Sequence, residues 1–129
     1  MHNYGIVHRD MKLENIMMTD DTEISMPKVV DFGLAKMVGP EETANDLFGT
    51  LGYVAPEVLK KETYNKSVDI WSLGVIVYAL ISGALPYDSD DKKELARQTI
   101  EDAVPFDIDK FDDCSKQVKK LIVELLHKD

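Results

Sequence analysis

Ile6-Val7-His8-Arg9-Asp10-Met11-Lys12-Leu13-Glu14-Asn15-Ile16-Met17-Met18 sets a carboxylate, an ammonium, a second carboxylate and an amide between two short apolar runs. Ile6-Val7 and Ile16-Met17-Met18 read as short strands, so the polar residues sit on a loop held at both ends, which can aim side chains accurately. Asp10 is a candidate base, Lys12 can neutralise an anionic oxygen, and Asn15 offers the carbonyl oxygen that a hard cation such as Mg²⁺ prefers. These residue types together suggest phosphoryl transfer.

Outward from that loop, Thr19-Asp20-Asp21-Thr22 clusters turn formers, and Ser25-Met26-Pro27-Lys28-Val29-Val30 runs into Asp31-Phe32-Gly33, the pattern of a hairpin. Gly39-Pro40-Glu41-Glu42-Thr43-Ala44-Asn45-Asp46 has neither helical nor strand period and is expected to be a mobile surface loop. Pro56 is placed to open a short helix, where its missing N–H is not needed. Asn65 to Ser82 is apolar on nearly every face, the mark of a helix buried all round. Ser82-Gly83 ends it with glycine at the C′ position, and Pro86 prevents its resumption. Asp90 to Asp102 gives a weaker amphipathic helix with Leu95, Ala96 and Ile100 inward. In the last helix Val118, Leu121, Ile122, Leu125 and Leu126 follow the i, i+3, i+4, i+7, i+8 pattern, with Ser115 as N-cap. Met1 to Gly5 is too short for an element of its own and looks like the tail of a helix.

The run His8-Arg9-Asp10-Met11-Lys12-Leu13-Glu14-Asn15 closely resembles the catalytic loop of eukaryotic protein kinases. Asp31-Phe32-Gly33 follows at a hairpin's distance, Gly49-Thr50-Leu51-Gly52-Tyr53-Val54-Ala55-Pro56-Glu57 is similar to the family's peptide-docking segment, and Ile70-Trp71-Ser72-Leu73-Gly74-Val75-Ile76-Val77-Tyr78 resembles its central helix. The docking segment and the tail from Phe106-Asp107 to Leu126 look most like the calcium/calmodulin-dependent group, calcium-dependent protein kinases in particular. No EF-hand pattern occurs in the chain.

The resemblance implies a mainly α fold with a short β-hairpin: part of the kinase carboxy-terminal lobe (α+β), with the small lobe absent. Residues 1–30 would form the catalytic loop and hairpin, 31–57 the activation segment and 58–129 a helical subdomain. The implied activity is ATP-dependent phosphoryl transfer to Ser or Thr hydroxyls of proteins. Asp10 would orient the hydroxyl and accept its proton, Lys12 would stabilise the transferring charge, and Asn15 with Asp31 would hold the Mg²⁺ of bound ATP. Thr50 would brace Asp10 and Lys12, Glu14 would meet a basic substrate residue, and Lys12 two places after Asp10 is the serine/threonine pattern. His8 would be a structural histidine tied to Asp31-Phe32-Gly33 rather than a catalyst, with Phe32 in a hydrophobic stack and Gly33 a hinge. Asp69 would hold the catalytic-loop backbone. Arg9 matches the arginine that pairs with an activation-loop phosphate. Asp46 then either stands in for that phosphate or is a solvated loop aspartate, and Thr43 is a candidate phosphosite.

Departures from the family pattern matter as much. The glycine-rich loop, the strand lysine and the helix glutamate of the small lobe do not occur, so the chain by itself is expected to transfer negligible phosphate. The alternative reading is a non-catalytic kinase fragment that acts as a protein-docking module. Glu57 matches a carboxylate that pairs with an arginine, and the only arginines here are Arg9 and Arg97. A buried carboxylate left alone costs roughly 3 to 5 kcal/mol, so the isolated chain is expected to be poorly stable.

Composition is consistent with this reading: 129 residues, 44% hydrophobic and 30% charged, suit one soluble globular domain. The single Cys114 excludes an internal disulfide framework, and no signal peptide is seen, so an intracellular, cytoplasmic setting is expected. The longest apolar stretch, Ile70 to Ile81, is interrupted by Ser72 and Gly74 and falls short of the roughly 20 residues of a spanning helix, so no membrane partner is expected. A net charge of −9 argues against non-specific nucleic-acid binding and suits a basic protein substrate. His2 and His127 read as surface residues.

Overall fold

A computed structural model describes residues 1–38, 48–107 and 109–128. The expected mobile loop, with Thr43 and Asp46, lies outside the described residues. After a 3₁₀ turn at His2–Tyr4, strand β1 (Ile6–Val7) leads into the polar loop, which closes in a second 3₁₀ turn at Leu13–Asn15. Strands β2 (Ile16–Met18) and β3 (Pro27–Val29) form the expected antiparallel hairpin, with Ile16 opposite Val29 and Met17 opposite Lys28. Strand β4 (Lys36–Met37) returns to pair with β1, Ile6 opposite Met37. The sequence did not predict that second pairing, because two residues are too few to display a period.

The remainder is helical. Helix α1 (Pro56–Leu59) opens on Pro56, and α2 (Ser67–Ser82) ends at Gly83 with φ 77°, both as expected. Helix α3 (Lys92–Glu101) is capped by the Asp91 side chain, and α4 (Lys116–Leu125) by Ser115, whose hydroxyl accepts the Val118 N–H.

Helix α2 is the axis of the core. Val75, Tyr78, Phe111 and Ile122 are fully buried, and the rings of Tyr78 and Phe111 lie 4.9 Å apart. Each such side chain withdrawn from water contributes about 1.5 to 3 kcal/mol. The Tyr78 hydroxyl donates to the Pro105 carbonyl at 2.9 Å, so the one polar atom of that cluster is satisfied. Helix α4 crosses α2 at Gly74, where a Cβ would stand 2.8 Å from Leu125 Cβ and from Leu126 Cδ2. Only a residue without a side chain permits that approach.

Three expectations are corrected. Helix α2 is not buried all round, because Ile70, Leu73 and Leu80, on one stripe, are 41%, 37% and 69% exposed. Leu121 is 47% exposed, since α4 meets α2 through Ile122 and Leu126 instead. On α3, Thr99 is buried alongside Leu95, while Ala96 and Ile100 are half-buried. Thr99 is admitted because its hydroxyl bonds the Leu95 carbonyl at 2.9 Å, one turn back.

Candidate active site

Asp69 anchors the loop to the core. It is 3% exposed and accepts the backbone N–H of His8 at 2.8 Å and of Arg9 at 2.9 Å, as expected. Those bonds fix the main chain where Arg9 adopts φ 68°, a left-handed conformation that a residue with a Cβ holds only when its surroundings over-determine it. A third bond was missed: His2 Nε2 lies 2.7 Å from Asp69 Oδ2. His2 is therefore no free surface residue, and nothing in the sequence signals a contact across 67 positions.

His8 joins the loop to the hairpin. It is wholly buried, its Nδ1 accepts the Asp10 N–H at 3.3 Å, and its Nε2 lies 3.0 Å from the Val30 carbonyl. Nδ1 as acceptor makes Nε2 the protonated nitrogen, the donor to Val30. Phe32 packs edge-on against the His8 ring at 4.9 Å and is otherwise 49% exposed. The Val30 N–H donates to the Asn15 carbonyl at 2.9 Å, and the Gly33 N–H to Asp31 Oδ1 at 3.2 Å, so the Asp31 turn is tied to the loop.

The reactive types converge on Asp10. The Thr50 hydroxyl donates to Asp10 Oδ1 at 2.8 Å and accepts from Lys12 Nζ at 2.9 Å, while that ammonium is 3.2 Å from Asp10 Oδ2. Asn15 Nδ2 donates to the Asp10 carbonyl at 2.8 Å. Burial raises the Asp10 pKa, but the Thr50 hydroxyl and the Lys12 ammonium outweigh it and hold the carboxyl below the usual range. The carboxylate is thus kept charged with a hydroxyl already bound to it.

The segment that carries Thr50 to Asp10 is fastened to α2. Ser72 of α2 donates to the Tyr53 carbonyl at 2.8 Å, a contact the sequence reading overlooked. Glu14 is exposed near Tyr53, whose hydroxyl is raised in pKa by burial and by the Glu14 carboxylate. Glu57 is half-buried and accepts from Ser67 Oγ at 3.4 Å. Its partial exposure reduces the penalty foreseen for a buried charge.

Among the described residues no three His, Cys, Asp or Glu side chains gather as a metal cage. Asn15 and the exposed Asp31 instead supply one amide oxygen and one carboxylate. That donor set fits Mg²⁺, which keeps several waters and takes its remaining ligands from substrate phosphates. Asn15 Nδ2 is engaged with Asp10, which leaves its Oδ1 as the free acceptor.

The family described as protein kinase domain matches residues 1–129. The chain belongs to the protein kinase family. This kinase chain is 39% identical to CDPK-related kinase 3 of Arabidopsis thaliana, over 99% of its own length and 21% of that protein's. It is 41% identical to calcium/calmodulin-dependent protein kinase type 1B of Homo sapiens over 100% of its length and 37% of the relative's. With calcium/calmodulin-dependent protein kinase type II of Caenorhabditis elegans the identity is 40%, over 97% of this chain and 17% of that one. The chain thus spans between a sixth and about two fifths of these relatives. No described helix is long and apolar enough to cross a membrane.

Proposed function

We propose that the chain supplies the phosphoacceptor half of a serine/threonine kinase site, working with ATP and Mg²⁺ within a complete kinase domain. The observation that carries this reading is the Asp10–Thr50–Lys12 arrangement, in which one hydroxyl bridges a carboxylate and an ammonium. Bound Mg·ATP would supply the transferable phosphoryl group and the charge that neutralises it, with Asn15 and Asp31 as the metal-holding residues.

Each residue's part follows from its surroundings. Asp10, with its lowered pKa, is a weak base in the resting site, so its first task is to accept a hydrogen bond from the substrate hydroxyl and orient the attacking oxygen. The proton passes to Asp10 late, once bond formation has made that hydroxyl strongly acidic. This suits the loose transition state of phosphoryl transfer, which asks little of a base. Lys12 carries positive charge beside Asp10 and stabilises the oxygens of the transferring group. Glu14, exposed and anionic, is placed to attract a basic residue flanking the acceptor, which the net charge of −9 favours further.

The test is acceptor identity. A kinase domain containing this chain, given labelled ATP and a peptide with one Ser, one Thr and one Tyr flanked by arginines, is expected to label Ser and Thr in a Mg²⁺-dependent manner. Labelling confined to Tyr, or none, would overturn the reading; in the latter case the docking alternative takes its place.

A further inference from the structure

We infer that Phe48 and Tyr64 are positioning residues that hold the Arg9 guanidinium, and through it the catalytic loop, against the segment carrying Thr50. Arg9 Nε donates to the Leu34 carbonyl at 2.7 Å and Nη1 to the Tyr64 hydroxyl at 3.3 Å, while the guanidinium carbon lies 4.5 Å from the centre of the Phe48 ring. Segments far apart in the chain therefore meet on one side chain. The three side chains line one pocket with Asp10 and Thr50.

Two further facts single out Phe48. Its ring is 41% exposed, so apolar burial alone does not explain its position, whereas a cation over its face does. Its neighbour Gly49 has φ 105°, and a Cβ there would stand 2.9 Å from the Arg9 carbonyl oxygen. The Phe48 ring and the Gly49 backbone thus both lie close against Arg9, one at its guanidinium and the other at its carbonyl. Tyr64 differs, being 4% exposed with its hydroxyl turned to Arg9. All these contacts are made by unmodified side chains. Thr50 follows Phe48 by two residues, so the aromatic contact fixes the distance at which the Thr50 hydroxyl meets Asp10.

The test replaces Phe48 by phenylalanines bearing one, two and three ring fluorines, which drain the ring face at nearly constant shape. Only its kinetic arm rests on the kinase reading. Hydrogen exchange at the amides of residues 49–53 is expected to speed stepwise. The kcat of the kinase domain falls in parallel, by roughly two- to thirtyfold over the series, with KM for ATP unchanged. Phe48→Trp retains wild-type behaviour, and Tyr64→Phe, which removes only a hydroxyl, speeds exchange at the same amides. A series flat in exchange overturns the role of Phe48, and Tyr64→Phe exchange equal to wild type overturns that of Tyr64. If the wild type transfers no phosphate, exchange still decides.

Discussion

Thr50 donates to Asp10 and accepts from Lys12, so the loss of its hydroxyl alters two charged neighbours at once. In a kinase domain containing this chain, Thr50→Val is expected to lower kcat by roughly 10- to 100-fold, the scale set by misplacing a catalytic group. The same change removes the strongest contact that lowers the Asp10 pKa. The Asp10 pKa therefore rises, and the acidic limb of the kcat/KM profile moves to higher pH. In the wild type the sign for stability is the reverse of that for a raised group. The Asp10 contribution is present above the ordinary value of 3.8 and is lost as pH falls through the lower folded value. A pH–rate profile of Thr50→Val that superimposes on the wild type would contradict this. At this scale the sequence was informative where polar types cluster in a short loop, as with Asp10, Lys12 and Asn15. It was silent where partners are distant and no family motif marks them: His2 on Asp69, Phe48 on Arg9 and Ser72 on the Tyr53 carbonyl are ordinary residues in ordinary places until the fold brings them together.

Helix α2 shows why element-level reading succeeds and then stops. Its start lies two residues later than the apolar run suggested, but its glycine end was legible because capping chemistry is local, and the hairpin because turn formers separate two apolar runs. Its burial was not, since an all-apolar helix carries no phase to mark which stripe stays outside. Gly74 and Leu80 lie on opposite sides of that question. Gly74→Ala forces a Cβ to 2.8 Å from Leu125 and Leu126, and is expected to destabilise the chain by about 1 to 3 kcal/mol through overpacking. Leu80→Lys, on the exposed stripe, is expected to change stability by less than about 0.5 kcal/mol and to reduce self-association. Thermal melts and light scattering of the two variants check both expectations; a greater loss for Leu80→Lys than for Gly74→Ala would mean that the packing has been misread.

Over the described residues, one buried aspartate, one buried histidine and one threonine tie the polar loop to α2, to the hairpin and to the segment carrying Thr50. The site is therefore assembled by the fold itself, with the helical part acting as its base. Fold class was legible because several motifs occur in the family's order, and a chance match to one would not have placed the others. The small β1–β4 pair and the Arg9 contacts were not, because they depend on chain reversals that no local pattern encodes. The central claim is that Asp10 is the group around which phosphoryl transfer is organised, and Asp10→Asn in a kinase domain containing this chain tests it most directly. We predict a fall in kcat of at least about 100-fold, with the Kd for Mg·ATP essentially unchanged. A variant that keeps more than half of the wild-type kcat would contradict the account.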